Sequence, residues 1–336
     1  MNPIDLADDT GESRASEDEL ELATKRKVTG ESKAPSAGWR AKKPLILLVA
    51  LCALAAWELG ATVKQHLSAA TSDDWRAAAQ VVLAERRDND QDALIFAPHW
   101  VAPLARHHFA GQLSMKMATL SDVDRYDRVW EISIRGAKHK WLGDLKAKKT
   151  WNKGAVTVRR YEKKPATVLF DFFEKIDKAT VDRAGKALTP CKLEQGKGIG
   201  GKIGPRFVCD AHRSWNWVGP YLAEVGHQPY SCIYVHPVDS HRMRVRFAGI
   251  PVGDKLVIHT GIDDFENRKR SNVPVLLQVF VDDRLIGTVR HENDWPWRRT
   301  ELKLQRSEKK TAAVRFEITA QAAFARPFCF RASMRR

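Results

Sequence analysis

The feature that most constrains this chain is an apolar run from Pro44 to Val63, PLILLVALCALAAWELGATV, in which Glu58 is the single charged residue. A helix of about twenty residues spans the roughly 30 Å hydrocarbon core of a bilayer. Glu58 lies near the far end, where its carboxylate can reach the headgroups, and Trp57 suits a membrane interface. The run predicts one transmembrane helix, which contacts membrane lipid through residues 44–63.

The charges that flank this run predict its orientation. Within twenty residues, seven Lys and Arg residues precede it, whereas two, Lys64 and Arg76, follow it. The positive flank stays in the cytoplasm, so we expect a single-pass protein of the bacterial inner membrane with residues 64–336 in the periplasm. Residues 1–43 are acidic and then basic with little apolar periodicity, which is typical of a disordered cytoplasmic tail.

Two other interpretations of the apolar run remain open. Ala53-Leu54-Ala55 has the small-x-small form of a signal-peptidase site, although the 43 residues before the run are far more than a signal peptide carries. A buried core helix is the second alternative. We favour the uncleaved anchor.

Residues 64–165 alternate helical and extended patterns. Thr71 can cap a helix amino terminus, and Trp75 begins a helical apolar spacing that continues through Ala78, Ala79 and Val82. Residues 93–97, 128–134 and 155–161 are apolar enough for strands, and a second helix reaches Phe109. This order predicts a small α/β domain with a parallel, Rossmann-like layer.

The strings DWRAAAQVVLAERRDNDQDALIFAPHWVAPLARHHF and YDRVWEIS, within residues 72–160, resemble the extracytoplasmic tail of bacterial membrane glycosyltransferases. The similar enzymes are related to the protein-mannosyltransferase and arabinosyltransferase families. The resemblance implies an accessory or regulatory role in envelope glycosyl transfer beside a separate polytopic glycosyltransferase. No residue here matches the catalytic acid of those families, so the sequence favours a protein without enzymatic activity of its own.

Residues 166–214 are rich in Gly and Lys and predict a connector. Its first residues, 168–173, are apolar, and we expect them to pack on the preceding layer. Residues 196–201 match GxGxxG literally, but no strand precedes them and no helix follows, as a dinucleotide site requires. Ile203 stands where a P-loop needs a hydroxyl. A flexible loop explains this segment.

Four cysteines follow the apolar run: Cys191, Cys209, Cys232 and Cys329. An even number in an oxidising compartment predicts disulfides, for which three pairings are open. Zinc is the alternative, although no two of these cysteines have the close spacing of a zinc-ligand pair. Cys52 lies in the apolar run and is expected to act as a small hydrophobic residue.

Residues 215–336 show the period-two alternation of strands. Met243, Val245 and Phe247 alternate with Arg242, Arg244 and Arg246, and similar patterns recur at 275–281, 300–304 and 314–318. Several short alternating strands separated by polar turns predict an antiparallel β-sandwich. The predicted fold class is therefore α+β and multidomain: a transmembrane helix, a small α/β layer and a jelly-roll sandwich.

The strings VLLQVFVDDRLIGT, WPWRRTELKL and AAVRFEIT, within residues 230–336, resemble jelly-roll carbohydrate-binding modules of the galactose-binding-like class. The resemblance implies a non-catalytic sandwich that binds a glycan or a partner protein. First and last strands are neighbours in a jelly roll, which implies a Cys232–Cys329 disulfide. A second disulfide, Cys191–Cys209, would close the Gly-rich loop.

Sugar recognition needs an aromatic platform and polar groups at its edge. Trp295 and Trp297 can supply the platform, and Pro296 between them places this stretch at an edge or in a loop. Two tryptophans at i and i+2 are also compatible with a core pair. The full set of predicted ligand-binding residues is Trp295, Trp297, Asn293, Asp294, Asp263, Asp264 and Arg268.

The acidic loop at 263–268 has a less specific pattern. Its carboxylates can bind a saccharide or a calcium ion, or it can be a solvated turn. No cofactor is predicted, and calcium has only this loop in its favour.

The charge of the outer region indicates the chemistry of its partners. The whole chain carries +15, and residues 64–336 carry about +17, because the tail and Glu58 are net acidic. Outside the cytoplasm such a charge attracts anionic lipid headgroups, lipopolysaccharide phosphates or acidic glycans. Nucleic acid is not a predicted partner.

Overall fold

The computed structural model describes residues 37–67, 69–87, 92–109, 111–114, 117, 119, 122–194, 204–210, 212–213, 215–226, 228–263, 272–293, 297–305 and 309–336. The chain divides into two units after Leu67, and the described residues of the first unit are 37–67. Each unit has its own contacts and is described by itself.

The first unit contains helix α1, Ala37–Leu67. Its segment Leu45–Lys64 is long and apolar enough to cross a membrane, as judged by length and composition alone, and none of it is buried against protein. Large apolar side chains such as Leu48, Leu54 and Trp57 are exposed. The apolar helix that the sequence predicts is present.

The second unit begins with helix α2, Ser72–Glu85, whose amino terminus carries the predicted cap. The Thr71 hydroxyl accepts a hydrogen bond from the Asp74 backbone, and the Asp74 side chain accepts one from the Thr71 backbone, which makes a capping box. Trp75, Ala78, Ala79 and Val82 are the buried residues of α2, as their spacing predicts. They pack on a four-stranded sheet.

The four-stranded sheet has the order β1-β2-β4-β3. Its elements are β1 Asp92–Ala97, α3 Ala102–His107, β2 Arg128–Ile134, β3 Lys149–Lys153 and β4 Val156–Glu162. Strands β1 and β2 are parallel and joined through α3, but β4 is antiparallel to both β2 and β3. The layer is therefore a mixed sheet and not the parallel, Rossmann-like layer that the sequence predicts. A tight turn at Gly154, with φ of +57°, joins β3 to β4, and such a turn can join only antiparallel strands.

The rest of the unit is a sandwich of an eight-stranded and a six-stranded sheet. The eight-stranded sheet has the order β16-β13-β18-β11-β10-β9-β8, with β5 paired to β18, and the six-stranded sheet has the order β15-β14-β17-β12-β6-β7. The strands are β5 Val168–Asp171, β6 Thr180–Ala184, β7 Leu188–Pro190, β8 Lys192–Glu194, β9 Arg206–Val208, β10 Trp217–Val225, β11 Gln228–Val235, β12 Arg242–Pro251, β13 Lys255–Ile262, β14 Val275–Val281, β15 Arg284–His291, β16 Arg298–Lys303, β17 Thr311–Ala320 and β18 Phe328–Arg335.

The core lies between these two sheets and follows the predicted alternation. Met243, Val245 and Phe247 of β12 point inward and are buried, while the arginines between them lie on the opposite face of the strand. Phe172, Phe247 and Phe316 form a cluster of edge-to-face rings at its centre. An antiparallel β-sandwich is therefore confirmed as the main architecture.

The predicted connector at 166–214 differs from the structure. Strands β5 to β9 lie in this segment and belong to the two sandwich sheets, and residues 168–171 pair with β18 rather than packing only on the α/β layer. These strands are three to five residues long, so they are too short to show an alternation among Gly and Lys. Residues 195–203, which include the GxGxxG match, lie outside the described residues.

The two predicted disulfides are present. Cys191 bonds to Cys209, and Cys232 of β11 bonds to Cys329 of β18, an adjacent strand. Cys52 of α1 is a free, exposed thiol.

Ion pairs join the α/β layer to the sandwich. Arg125 and Arg331 both reach the carboxylate of Asp171, with Arg331 at 2.9 Å. Arg299 of β16 lies 3.1 Å from Asp124. Because Asp124 and Arg125 belong to the turn that leads into β2, these contacts fix the orientation of the layer against the sandwich.

Candidate functional site

The candidate site lies where β1 and β2 end. Because these two strands are parallel, their carboxyl ends meet at the same edge of the four-stranded sheet. The cis peptide Ala97–Pro98 and His99 follow β1, and the loop at 137–141 follows β2. In α/β sheets, ligands bind outside the carboxyl ends of the strands, so a ligand site is expected at this edge.

A cavity of about 380 Å³ opens at this edge, and we call it the edge cavity. Residues 97–99 and 137–141 of the α/β layer line one side, and Gly226, Tyr230 and Trp297 of the sandwich line the other. Its size falls within the range of sites for small molecules. The edge cavity is thus built by both parts of the second unit.

Trp297 reaches the edge cavity, but its ring is not the exposed platform that the sequence led us to expect. It is 1% exposed, stacks on Tyr230 with ring centroids 4.5 Å apart, and lies parallel to His259 at 6.1 Å. The indole fits there because Gly261 has no side chain: a Cβ at Gly261 would lie 2.8 Å from a carbon of the ring. Trp297 therefore forms a wall of the cavity and leaves no open face for a sugar.

Trp141 is the tryptophan that presents open surface in the edge cavity, since its ring is half-buried. It sits in a 3-10 turn, Lys140–Leu142, where Nδ1 of His139 accepts a hydrogen bond of 3.3 Å from the Trp141 backbone. Its ring contacts His139 and His259 edge to face, at centroid distances of 4.8 and 6.4 Å. The turn and the two imidazoles hold the indole in one orientation.

The loop that carries Trp141 is anchored by Glu131, which is completely buried in β2. One carboxylate oxygen of Glu131 accepts a hydrogen bond of 2.5 Å from the His139 backbone. The other accepts bonds from Arg159, at 3.0 Å, and from the Tyr161 hydroxyl, at 2.9 Å. Burial and the Glu131 carboxylate raise the pKa of Tyr161 to about 12. A buried charge with three donors is compensated, so it fixes the start of the loop.

Basic side chains surround the mouth of the edge cavity. Lys138, Lys140 and His99 are exposed there, and among the described lining residues there is no Asp or Glu. Burial, with smaller contributions from Lys140 and His99, lowers the pKa of His139 to about 4. His139 is therefore neutral at pH 7, and burial also lowers the pKa of Lys140. The cavity combines an aromatic surface with cationic and imidazole donors.

The other residues predicted to bind a ligand are not gathered in this cavity. Asn293 bonds through its side chain to Asn272, at 3.0 Å, and to Arg326, at 3.3 Å. The Asp263 carboxylate accepts a hydrogen bond of 3.3 Å from the Tyr221 hydroxyl, at the end of β13. Asp264, Arg268, Asp294 and Trp295 lie outside the described residues. Within the described residues no group of three or more His, Cys, Asp or Glu could hold a metal ion.

Sequence reasoning missed the residues after β2, namely Lys138, His139, Lys140 and Trp141. The strand at 128–134 was recognised from its apolar pattern, and parallel pairing with the strand at 93–97 was expected. Parallel pairing brings the carboxyl ends of both strands to one edge of the sheet, and this placement could have identified the loop at 137–141 as a candidate site. Tyr230 gave no such signal, since only the tertiary fold brings it to the cavity.

No protein-family model matches the chain, and no curated protein matches its sequence. Its neighbours among solved structures include several β-sandwich domains of carbohydrate-binding modules and the secreted serine protease VesC from Vibrio cholerae. CBM51 from Clostridium perfringens GH95, in complex with methyl-galactose, is 10% identical over 34% of this chain and 78% of that chain, with a TM-score of 0.26. The mannan-recognising module TmCBM27 is 9% identical over 50% of this chain and 94% of its own length, with a TM-score of 0.27.

A longer neighbour contains CBM51-2 in complex with GlcNAc and the INT domains of ZmpB from Clostridium perfringens. It is 10% identical over 73% of this chain, with a TM-score of 0.31. The chain spans about half the length of that protein, 47%.

Proposed function

We propose that this chain is a non-catalytic glycan-binding protein, and that the edge cavity is its saccharide site. The half-buried ring of Trp141 in a cavity rimmed by basic side chains is the observation that carries the proposal. A pyranose ring has an apolar face that packs on an indole, and its hydroxyl groups need hydrogen-bond partners around that ring. Trp141 supplies the indole, and His99 and His139 supply imidazoles.

The charge of the rim favours a saccharide that carries a negative group. Lys138 and Lys140 can donate charge-assisted hydrogen bonds to a carboxylate, sulfate or phosphate. Neutral His139 has a donor and an acceptor nitrogen, and Nδ1 is used by the Trp141 backbone. His139 is therefore suited to a sugar hydroxyl rather than to the anionic group.

The test is a glycan-array screen of the full chain in a neutral detergent, followed by titration calorimetry with the best saccharide. We expect Trp141→Ala to lower the affinity about 5- to 100-fold, by analogy with the stacking of bases on aromatic side chains. Trp100→Ala is the matched control, since Trp100 is 50% exposed beside the cavity without lining it. An unchanged affinity for the Trp141 variant, or an equal loss for both variants, would contradict the proposal.

We further infer that helix α1 anchors the protein in the bacterial inner membrane with its amino terminus in the cytoplasm. The apolar run and the excess of basic residues before it support this topology. Protease added to intact spheroplasts is expected to remove most of the mass of the chain. If the protease removes only a small fragment, the orientation is the opposite one, with residues 64–336 in the cytoplasm. An amino terminus near residue 55 in the mature protein would indicate cleavage.

A further inference from the structure

The outer face of the six-stranded sheet carries a row of side chains that the edge cavity does not involve. Arg290 of β15 pairs with Leu276 of β14, which pairs with Thr319 of β17. Arg242 of β12 continues this row and pairs with Ala184 of β6. These five residues lie side by side across five strands and form the floor of an open groove of about 760 Å³.

The groove has walls as well as a floor. The turn at Ser240 and His241 stands on one side, and residues 273–274 stand on another. The His241 ring lies so close to Gly185 that a Cβ on this glycine would be 2.5 Å from the ring. The two arginine side chains of the floor, Arg242 and Arg290, are 64% and 60% exposed, so the groove is open to a ligand. Arg290 is paired with Glu292 at 2.7 Å, so Arg242 has the more available charge of the two.

Three arginines alternate along β12 on the same face: Arg242, Arg244 and Arg246. Residues two apart on a strand are about 6.6–6.8 Å apart along the backbone, so the three arginines start from evenly spaced positions on one face of β12. Arg244 is held by Asp182, at 2.5 Å. Arg242 lies 3.8 Å from Glu317, a distance that leaves most of its donors available.

Arg246 lies directly opposite Arg315 of β17. Like charges in this position destabilise a sheet unless they are compensated. Arg315 is compensated by Asp283 and Glu317 and covers the ring of Phe280 at 4.3 Å. Arg246 is exposed, and among the described residues it has no ion pair. Its charge is available to a ligand.

We propose that this face, defined by Arg242, Arg244, Arg246 and Arg290, binds an acidic polysaccharide through its carboxylate, sulfate or phosphate groups. Guanidinium groups bind such anions with two parallel hydrogen bonds. A row of arginine positions on one strand, of which Arg242 also lines the groove, fits a linear chain with repeated anionic groups. The site is separate from the edge cavity and from the function proposed for it.

A nucleic acid is the competing polyanion, and the same face argues against it. Proteins that bind single strands stack the bases on exposed aromatic side chains. Phe280 is the aromatic residue of this face among its described strands, and the Arg315 guanidinium covers its ring. The His241 ring in the groove wall packs against Gly185. The face therefore offers charge with little free aromatic surface for stacking.

The test uses the full chain in a neutral detergent and immobilised dextran sulfate as the probe, with unmodified dextran beside it. We expect binding to dextran sulfate alone, weakening as salt rises because exposed charges are screened. The double variant Arg242→Gln/Arg246→Gln is expected to lower the affinity about 10-fold or more, since each exposed charge-assisted contact contributes about 3-fold or more. Both arginines are exposed, so near-ultraviolet circular dichroism should show an unchanged fold.

Two controls make the outcome specific. Lys192→Gln removes an exposed charge from β8 in the other sheet, and Trp141→Ala alters the edge cavity. Lys192→Gln is expected to leave dextran sulfate binding unchanged. The double arginine variant is also measured on a Trp141→Ala background, where the edge cavity no longer contributes, and the same loss is expected there, so failure of the edge cavity as a saccharide site is distinguishable from failure of this proposal. Equal binding by the double variant, an equal loss with Lys192→Gln, or stronger binding of a single-stranded oligonucleotide than of dextran sulfate would overturn it.

Discussion

Arg335, the penultimate residue, forms a buried ion pair with Asp122 at the start of the turn that leads into β2. Both side chains are almost completely buried, and Nε of Arg335 also donates to the Ser333 hydroxyl at 2.8 Å. The pair joins the last strand of the sandwich to the α/β layer across 213 residues of sequence. It therefore helps to hold together the two walls of the edge cavity.

Replacing Arg335 by Met tests this pair. Removing one partner of a buried ion pair leaves an uncompensated charge and costs about 3–5 kcal/mol, so we expect the free energy of unfolding to fall by this amount in urea titrations. Arg336→Met is the control, because Arg336 is exposed and bonds through its backbone to Thr167. Equal stability of the two variants would show that the pair contributes nothing.

Gly261 is predicted to be intolerant of a side chain. Gly261→Ala would push a methyl group against the Trp297 ring, at 2.8 Å, and against Val225, at 3.1 Å. Overpacking of this kind costs about 1–3 kcal/mol, and the shifted indole should change the tryptophan fluorescence. Because the clash is with the six-membered ring of the indole, adding Trp297→Phe should recover part of the loss. If the losses in free energy of unfolding caused by Gly261→Ala and Trp297→Phe simply add in the double variant, the two residues are not coupled and the clash with the indole is not the cause of the loss.

The sequence predicted much of the fold because the decisive patterns are local. The Thr71 cap, the buried positions of α2 and the alternation of β12 each follow from spacing within ten residues. The strands between 168 and 208 could not be predicted in this way, since they are only three to five residues long and are stabilised by their partner strands. The glycosyltransferase resemblance of residues 72–160 stays a prediction.

The candidate site was less predictable than the fold, for a related reason. Trp297 was identified from its sequence neighbours, but its burial depends on Gly261 and Tyr230, which only the sheet brings together. Trp141 had no distinguishing neighbours in sequence. Its role depends on the parallel pairing of β1 and β2 and on the sandwich wall opposite.

His259 is predicted to make stability depend on pH. Burial lowers its pKa to about 4 from the ordinary value of 6.5, an effect that the nearby Asp122 opposes and Arg335 adds to. Between pH 6.5 and 4 the unfolded chain therefore binds a proton that the folded chain does not. The free energy of unfolding falls as pH falls through this window, by about 1.4 kcal/mol per pH unit and about 3 kcal/mol at most from this residue.

The measurement is urea unfolding at pH 7.5 and pH 5 for the natural chain and for His259→Phe, which keeps a ring against Trp297. The variant should lose part of the pH dependence, and His139, whose pKa is also lowered to about 4, should supply much of what remains. If both proteins show an identical pH dependence, His259 takes up its proton in the folded state as readily as in the unfolded chain, and its pKa is not lowered.

The two disulfides are predicted to differ in accessibility and in contribution to stability. Cys232 and Cys329 are fully buried, whereas Cys191 is half-buried at the edge of the sandwich. A mild reductant should therefore open Cys191–Cys209 first, as alkylation and peptide mapping would show.

The Cys232–Cys329 bond closes a loop of 97 residues, whereas Cys191–Cys209 closes a loop of 18. The chain-entropy model therefore gives Cys232–Cys329 the larger contribution to the free energy of unfolding, about 4–5 kcal/mol against about 3 kcal/mol. Paired Cys→Ala variants should reproduce this order in urea unfolding, and the reverse order, or simultaneous reduction of both bonds, would contradict it.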